Sequence, residues 1–152
     1  MVSSNFTILN MKKKIIFICH GNICRSVAAE FIMKSMSNDY DICSRATSFE
    51  EIGNDIYPPM KRELLNNNIP FERHYAQRIN YNDYQEADYI FYMDDENYAF
   101  LYRMFGDDEK IKPVYEWTPS IKEIEDPWYT GRFNVVVSQL KQCIKDILDN
   151  IN

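Results

Sequence analysis

Residues Ile15-Ile16-Phe17-Ile18 carry no polar side chain and follow directly on Lys12-Lys13-Lys14. A short apolar run without alternation has no face to give to water. It predicts a strand over 14–18 at the centre of a parallel sheet covered on both sides. The sequence supplies the crossover at once. Cys19-His20-Gly21-Asn22-Ile23-Cys24-Arg25-Ser26 reads as a short loop, and Val27, Phe31, Ile32 and Met36 then recur at helical spacing over about 26–37. Ser26 is the predicted N-cap of this helix. Strand, loop and helix therefore set an α/β architecture within the first forty residues.

The rest of the chain repeats the alternation. Tyr40 to Ser44 reads as a short strand, and 45–57 has no clear period and reads as a functional loop. Pro58 and Pro59 open a helix to about Asn66, which ends before Ile69-Pro70. A short helix near 80–86 leads to a strand from Tyr89 to Met93. Asp94 and Asp95 begin a helix to Phe105 that Gly106 stops. Ile111 to Tyr115 is the fourth strand, 117–131 a loop, and 133–150 an amphipathic helix. Strands alternating with helices predict a parallel sheet with helices on both faces. Ligands of such sheets sit beyond the carboxyl ends of the strands, at a topological switch point. The Cys19 loop is at such an end.

A length of 152 residues with 45% apolar content suits one domain with one core. The expected boundaries are an N-terminal extension outside the fold at 1–11 and a single domain over 12–152. A net charge of −6 argues against nucleic acid as a partner, so any anion site must be built locally. The lysines before the apolar run imitate a signal peptide, but the run is about five residues against the roughly 7–15 such a core needs. No stretch approaches the ~20 apolar residues of a membrane span, so no membrane partner is expected. Of the four cysteines, Cys19 and Cys24 share one loop while Cys43 and Cys143 are scattered. The chain is large enough to fold without disulfides, so reduced thiols and a cytoplasmic location are expected.

The Cys19–Ser26 loop has the makings of an anion cradle. Peptide N–H groups after Cys19 can converge in a nest, the following helix adds its positive end, and Arg25 can grip two oxygens in a fork. The same donors stabilise a thiolate, and a thiolate beneath a phosphoryl group is placed for in-line attack. The spacing Cys-x5-Arg-Ser arises by chance on the order of 0.01 times in a chain of this composition. Such a reaction needs a proton for its leaving group, and the candidate donor is Asp126 in Glu125-Asp126-Pro127-Trp128-Tyr129. Trp128 and Tyr129 are suited to flank an aromatic ring. No spacing of His, Cys and Asp suggests a metal, and no cofactor is called for.

These residues resemble the low-molecular-weight protein tyrosine phosphatases. The match runs from the strand and Cys19-x-Gly21-Asn22-Ile23-Cys24-Arg25-Ser26 through Ser44-Arg45-Ala46-Thr47-Ser48, Ile52-Gly53 and Tyr89-Ile90-Phe91-Tyr92-Met93-Asp94. It ends at Asp126-Pro127-Trp128-Tyr129, covering roughly residues 13–148. The resemblance implies a flavodoxin-like fold with a four-stranded parallel sheet. It also implies metal-free hydrolysis of phosphotyrosine through a cysteinyl phosphate, with phosphate as product and inhibitor. On it, Cys19 looks like the nucleophile, Arg25 the transition-state clamp and Asp126 the general acid and later base. Residues Cys19, His20, Gly21, Asn22, Ile23, Cys24, Arg25 and Ser26 form the implied phosphate loop. Asn22, Ser26, Ser44 and His74 look like the network that supports it, and Cys24 like a redox partner of Cys19. Phe49, Glu50, Trp128 and Tyr129 are the implied substrate cleft. Expected partners are phosphotyrosine proteins or small aryl phosphates, with the chain a monomer.

Several positions depart from the family pattern. His20 replaces an apolar residue, Arg45 a small one, and Glu50 stands where the cleft-wall aromatic is usual, one position after Phe49. Gln77-Arg78 is reversed, and the loop after Tyr129 is shortened. These changes touch the rim and bear on substrate preference rather than chemistry. Two other readings start from the same loop: an arsenate reductase of this fold, and a non-catalytic oxyanion- or phosphoprotein-binding module. The first needs relay cysteines, and none lies between Cys43 and Cys143.

Overall fold

Strand β1 (Lys14–Cys19) forms where the apolar run predicts it, with Ile15 to Ile18 wholly buried. The computed structural model describes residues 12–151. The segment 1–11, expected as an extension, lies outside the described residues, as does Asn152. β1 is flanked by β2 (Asp41–Ala46) and β3 (Tyr89–Tyr92), and β4 (Ile111–Pro113) completes a parallel sheet in the order β2-β1-β3-β4.

Successive side chains of β1 point to opposite faces, and each face has its own core. Ile15 and Phe17 pack with Val27 and Ile32 of α1 (Arg25–Met36), Leu64 of α2 (Pro58–Asn66), and Leu140 and Ile144 of α6 (Phe133–Asn150). Ile16 and Ile18 pack with Ile79, Ala87 and Leu101, under α3 (Tyr81–Glu86) and α4 (Asp95–Phe105). Helices thus cover both faces of a four-stranded sheet, the flavodoxin-like arrangement. No helix among the described residues is long and apolar enough to cross a membrane.

The elements differ from the sequence reading where side chains found other partners. α1 starts at Arg25, and Cys24 occupies the cap position without a side-chain bond. Ser26 is not the cap, because its hydroxyl turns back to Cys19 and Asn22. β2 continues two residues past Ser44, since its register with β1 persists to Cys19 against Ala46. β4 ends at Pro113, opposite Tyr92 where β3 itself ends, and the last bond between them is Val114 N–H to Tyr92 O (2.8 Å). Inside the loop 117–131 lies one helical turn, α5 (Pro127–Thr130), capped by Asp126.

From β1 the chain crosses to β2 on one side and later returns to β3 on the other. The switch point is therefore the crevice between the carboxyl ends of β1 and β3. The Cys19 loop leaves β1 there, and Asp94, the N-cap of α4, stands just beyond β3.

Candidate active site

The loop after β1 is anchored by its carbonyls. Thr47 N–H donates to Cys19 O (3.0 Å), Ser48 N–H to His20 O (3.1 Å) and Tyr57 N–H to Ile23 O (2.9 Å), and His74 Nε2–H donates to Asn22 O (2.7 Å). In a planar trans peptide the N–H points opposite to the C=O. Tying these carbonyls to the surrounding scaffold turns the paired N–H groups toward the interior of the loop. Burial lowers the His74 pKa below its ordinary value, against the pull of its bond to Asn22 O, and the ring is the neutral Nε2–H donor.

Asn22 organises this loop. It is fully buried and adopts φ +62°, a left-handed conformation that Asn tolerates better than most residues. Its Nδ2 donates to both Ser26 Oγ (2.9 Å) and Ser44 Oγ (2.9 Å), and its Oδ1 accepts Gln77 N–H (3.1 Å). Both amide hydrogens and the amide oxygen are engaged, which fixes the side-chain orientation. Ser44 in turn donates to Glu30 Oε1 at 2.6 Å. Ser26 Oγ accepts from Asn22 and also from the Cys19 thiol, whose Sγ lies 3.0 Å away. Asn22 N–H also lies 3.3 Å from that sulfur. The buried thiol of Cys19 thus has two polar partners at the base of the loop, Asn22 N–H and Ser26 Oγ. Burial and then the neighbouring Cys19 push the Cys24 thiol far above its ordinary pKa.

Arg25 is 2% exposed and is the nearest buried cation of the loop. Its Nη1 donates to Asp94 Oδ2 (2.7 Å) and Ile124 O (3.0 Å), and Nη2 lies 3.5 Å from Asp126 Oδ2. Burial opposes its charge, but Cys19, Asp94 and Asp126 together outweigh that and raise its pKa. Asp126 reaches the site from α5. Its Oδ1 accepts Trp128 N–H (3.0 Å), so capping one turn of helix aims the other carboxylate oxygen at Arg25.

A cleft of about 130 Å³ opens over this floor. Cys19, His20, Gly21, Ile23, Cys24, Arg25, Glu50, Asp126, Trp128 and Tyr129, all expected at the site, line it. Trp128 leans on Tyr57 at a ring separation of 4.7 Å, and Tyr57 on Phe133 at 6.0 Å. Asn22, Ser26, Ser44 and His74 lie behind the cleft, in contact with the loop. Phe49, expected in the cleft, does not line it, and its ring lies 4.3 Å from the Arg78 guanidinium instead. Sequence reasoning missed Glu51, which lines the cleft, as well as Asp94, Glu30 and Tyr57. Glu30 stands four residues after Ser26 on one helix, a same-face signal that was available. Glu51 carried none, lying in a stretch without periodicity.

A family model described as low molecular weight phosphotyrosine protein phosphatase matches residues 14–152. The chain is similar to the human protein named low molecular weight phosphotyrosine protein phosphatase, 33% identical over 153 residues, covering 90% of this chain and 94% of the relative. Among solved structures, it resembles the low molecular weight protein tyrosine phosphatase SP-PTP of Streptococcus pyogenes, with TM-score 0.85 and 34% identity over 92% of this chain and 93% of that one. YfkJ of Bacillus subtilis superposes with TM-score 0.87 at 28% identity, over 93% and 96% of the two chains.

Proposed function

The chain belongs to the low molecular weight phosphotyrosine protein phosphatase family, and from that premise we propose that it hydrolyses phosphotyrosine in two steps through Cys19. The carrying observation is the Cys19 sulfur at the floor of the cleft, facing Ser26 Oγ and Asn22 N–H, with Arg25 and Asp126 beside it. In the first step the thiolate attacks phosphorus in line as the bond to the tyrosyl oxygen breaks. Asp126 gives its proton to that oxygen, and phosphorus becomes bonded to sulfur. Arg25 and the loop N–H groups meet the charge on the three equatorial oxygens. In the second step water attacks phosphorus, Asp126 takes its proton, the phosphorus–sulfur bond breaks and phosphate leaves. Trp128 and Tyr129 flank the ring of the substrate, and Tyr57 supports Trp128 from beneath.

Asn22, Ser26, Ser44 and His74 act by holding the loop, and Glu30 extends the same hydrogen-bond chain. The cysteine pair fits the expected redox role in part: Cys24 lines the same cleft as Cys19, and burial keeps it a thiol rather than a competing nucleophile.

The test is hydrolysis of p-nitrophenyl phosphate in a chelator, with phosphate as competitive inhibitor. Wild type turns it over and Cys19→Ser does not. A wild-type protein that binds phosphate yet never releases p-nitrophenol would leave a binding module in place of an enzyme.

A further inference from the structure

The cleft is lined by two unlike kinds of side chain. Trp128 and Tyr129 offer aromatic surface. The segment after β2 adds two carboxylates, Glu50 and Glu51. We propose, resting on the phosphatase reading above, that Glu50 and Glu51 make this enzyme select phosphotyrosine segments carrying a basic side chain next to the phosphotyrosine.

Both carboxylates are held at the mouth. Glu50 Oε2 lies 3.1 Å from His20 Nε2, in a pair whose side chains are 51% (His20) and 69% (Glu50) exposed. Glu51 Oε2 accepts a hydrogen bond from Asn54 Nδ2 at 2.6 Å, and among the described residues no cation pairs with it. Gly21 lets it pack closely, because a Cβ there would sit 3.3 Å from Glu51 Cγ. Without that side chain, Glu51 closes directly onto the loop that receives the phosphate.

The nearby arginines do not cancel this wall. The Arg25 guanidinium is already engaged by Asp94 and Asp126. Arg78 lies between the rings of Phe49 (4.3 Å) and Phe100 (4.9 Å), outside the cleft lining. A phosphotyrosine seated on Cys19 brings its flanking residues to the mouth. A lysine or arginine there meets Glu50 and Glu51, and an aspartate or glutamate meets repulsion. The net charge of −6 acts with the same sign at longer range. The aromatic wall thus reads the ring while the acidic wall reads the neighbours.

Exposed pairs of this kind are individually weak, so two together give about a 3–10-fold preference in kcat/KM at low salt, carried mainly by KM. The experiment compares two phosphotyrosine peptides identical except for lysine or glutamate on both sides of the phosphotyrosine. The lysine-to-glutamate ratio of kcat/KM is read for wild type, for Glu50→Gln/Glu51→Gln and for Glu50→Lys, each at low salt and in 0.5 M salt. Expected are a wild-type ratio of about 3–10 that shrinks with salt, a ratio within about twofold of one in the double variant, and inversion in Glu50→Lys. A wild-type ratio of one or below, or a ratio kept in both variants, overturns the proposal. Turnover of p-nitrophenyl phosphate by the wild type separates the two readings. With turnover and a flat ratio, charge selection alone falls. Without turnover of any substrate, the phosphatase reading falls and takes this one with it.

Discussion

Asp126 holds two positions at once. Its Oδ1 caps α5 through Trp128 N–H, and its Oδ2 stands 3.5 Å from Arg25. Replacement by alanine removes both, so a rate loss there is ambiguous. Asparagine caps a helix about as well as aspartate but carries no proton to give. In Asp126→Asn, we expect kcat to fall about 10²–10⁴-fold on phenyl phosphate, whose leaving group needs the proton, and far less on an ester with an acidic phenol. Equal losses on the two esters, measured in steady state, would remove Asp126 from the acid role. The residue was legible only through Asp-Pro followed by an aromatic pair, because nothing local in Glu125-Asp126-Pro127 reports that it folds back onto a loop a hundred positions earlier. Asp94, the other partner of Arg25, was read only as the start of a helix. Its cap bond to Asn97 N–H is local, whereas its bond to Arg25 is not. Phe49 and Glu50 show the same limit from the other direction. Sequence put both on the cleft, but adjacent side chains diverge, and Phe49 lies against the Arg78 guanidinium outside it.

At the scale of the element, the loop from Cys19 to Arg25 is strained at one residue, which three side chains and one backbone N–H hold in place. Ser26, Ser44, Gln77 and His74 all bond to Asn22, whose φ is +62°. Two substitutions separate the bonds from the strain. Glycine adopts this φ freely and loses only the amide, whereas alanine loses the amide and also suffers the left-handed backbone. Asn22→Gly should lose about 2–3 kcal/mol of stability from the missing bonds, and Asn22→Ala about 1 kcal/mol beyond that. Urea denaturation of the two variants measures the difference, and equal stabilities would mean that the backbone is unstrained. The elements themselves were largely readable because their causes are local. β1 followed from an unbroken apolar run, α2 from Pro58-Pro59, and α4 from Asp94 and Gly106 at its two ends. The misread boundaries have tertiary causes. Ser26 gave up capping for a bond within the loop, and β2 ran on to Ala46 because β1 and the residues near Arg78 offered it partners.

Across the whole molecule, the support of the loop ties the site to stability in acid. His74 donates to Asn22 O from a buried position, and burial lowers its pKa below the ordinary 6.5. The unfolded chain therefore takes up a proton near pH 6.5 that the folded chain refuses until lower pH. Stability is highest above that value and falls as pH drops from about 6.5 to the folded pKa. Asp55 acts in a lower window. Burial opposes its charge, but Lys61 and the N–H groups of His74 and Ile56 overcome that and depress its pKa well below the ordinary 3.8. Its contribution is present above 3.8 and is lost as pH falls below it. Asp55 Oδ1 accepts the backbone N–H of His74 itself, so both acid steps converge on one segment, 74–77, that also carries the Gln77 N–H bonded to Asn22. The melting temperature should then decline in two separate stages on acidification. In His74→Gln, whose amide can still donate to Asn22 O but does not titrate, the upper stage should vanish while the lower one persists. Calorimetry across about pH 2–8 measures both stages. A wild-type curve that stays flat from pH 7 to pH 5 would break the link between this histidine and the loop.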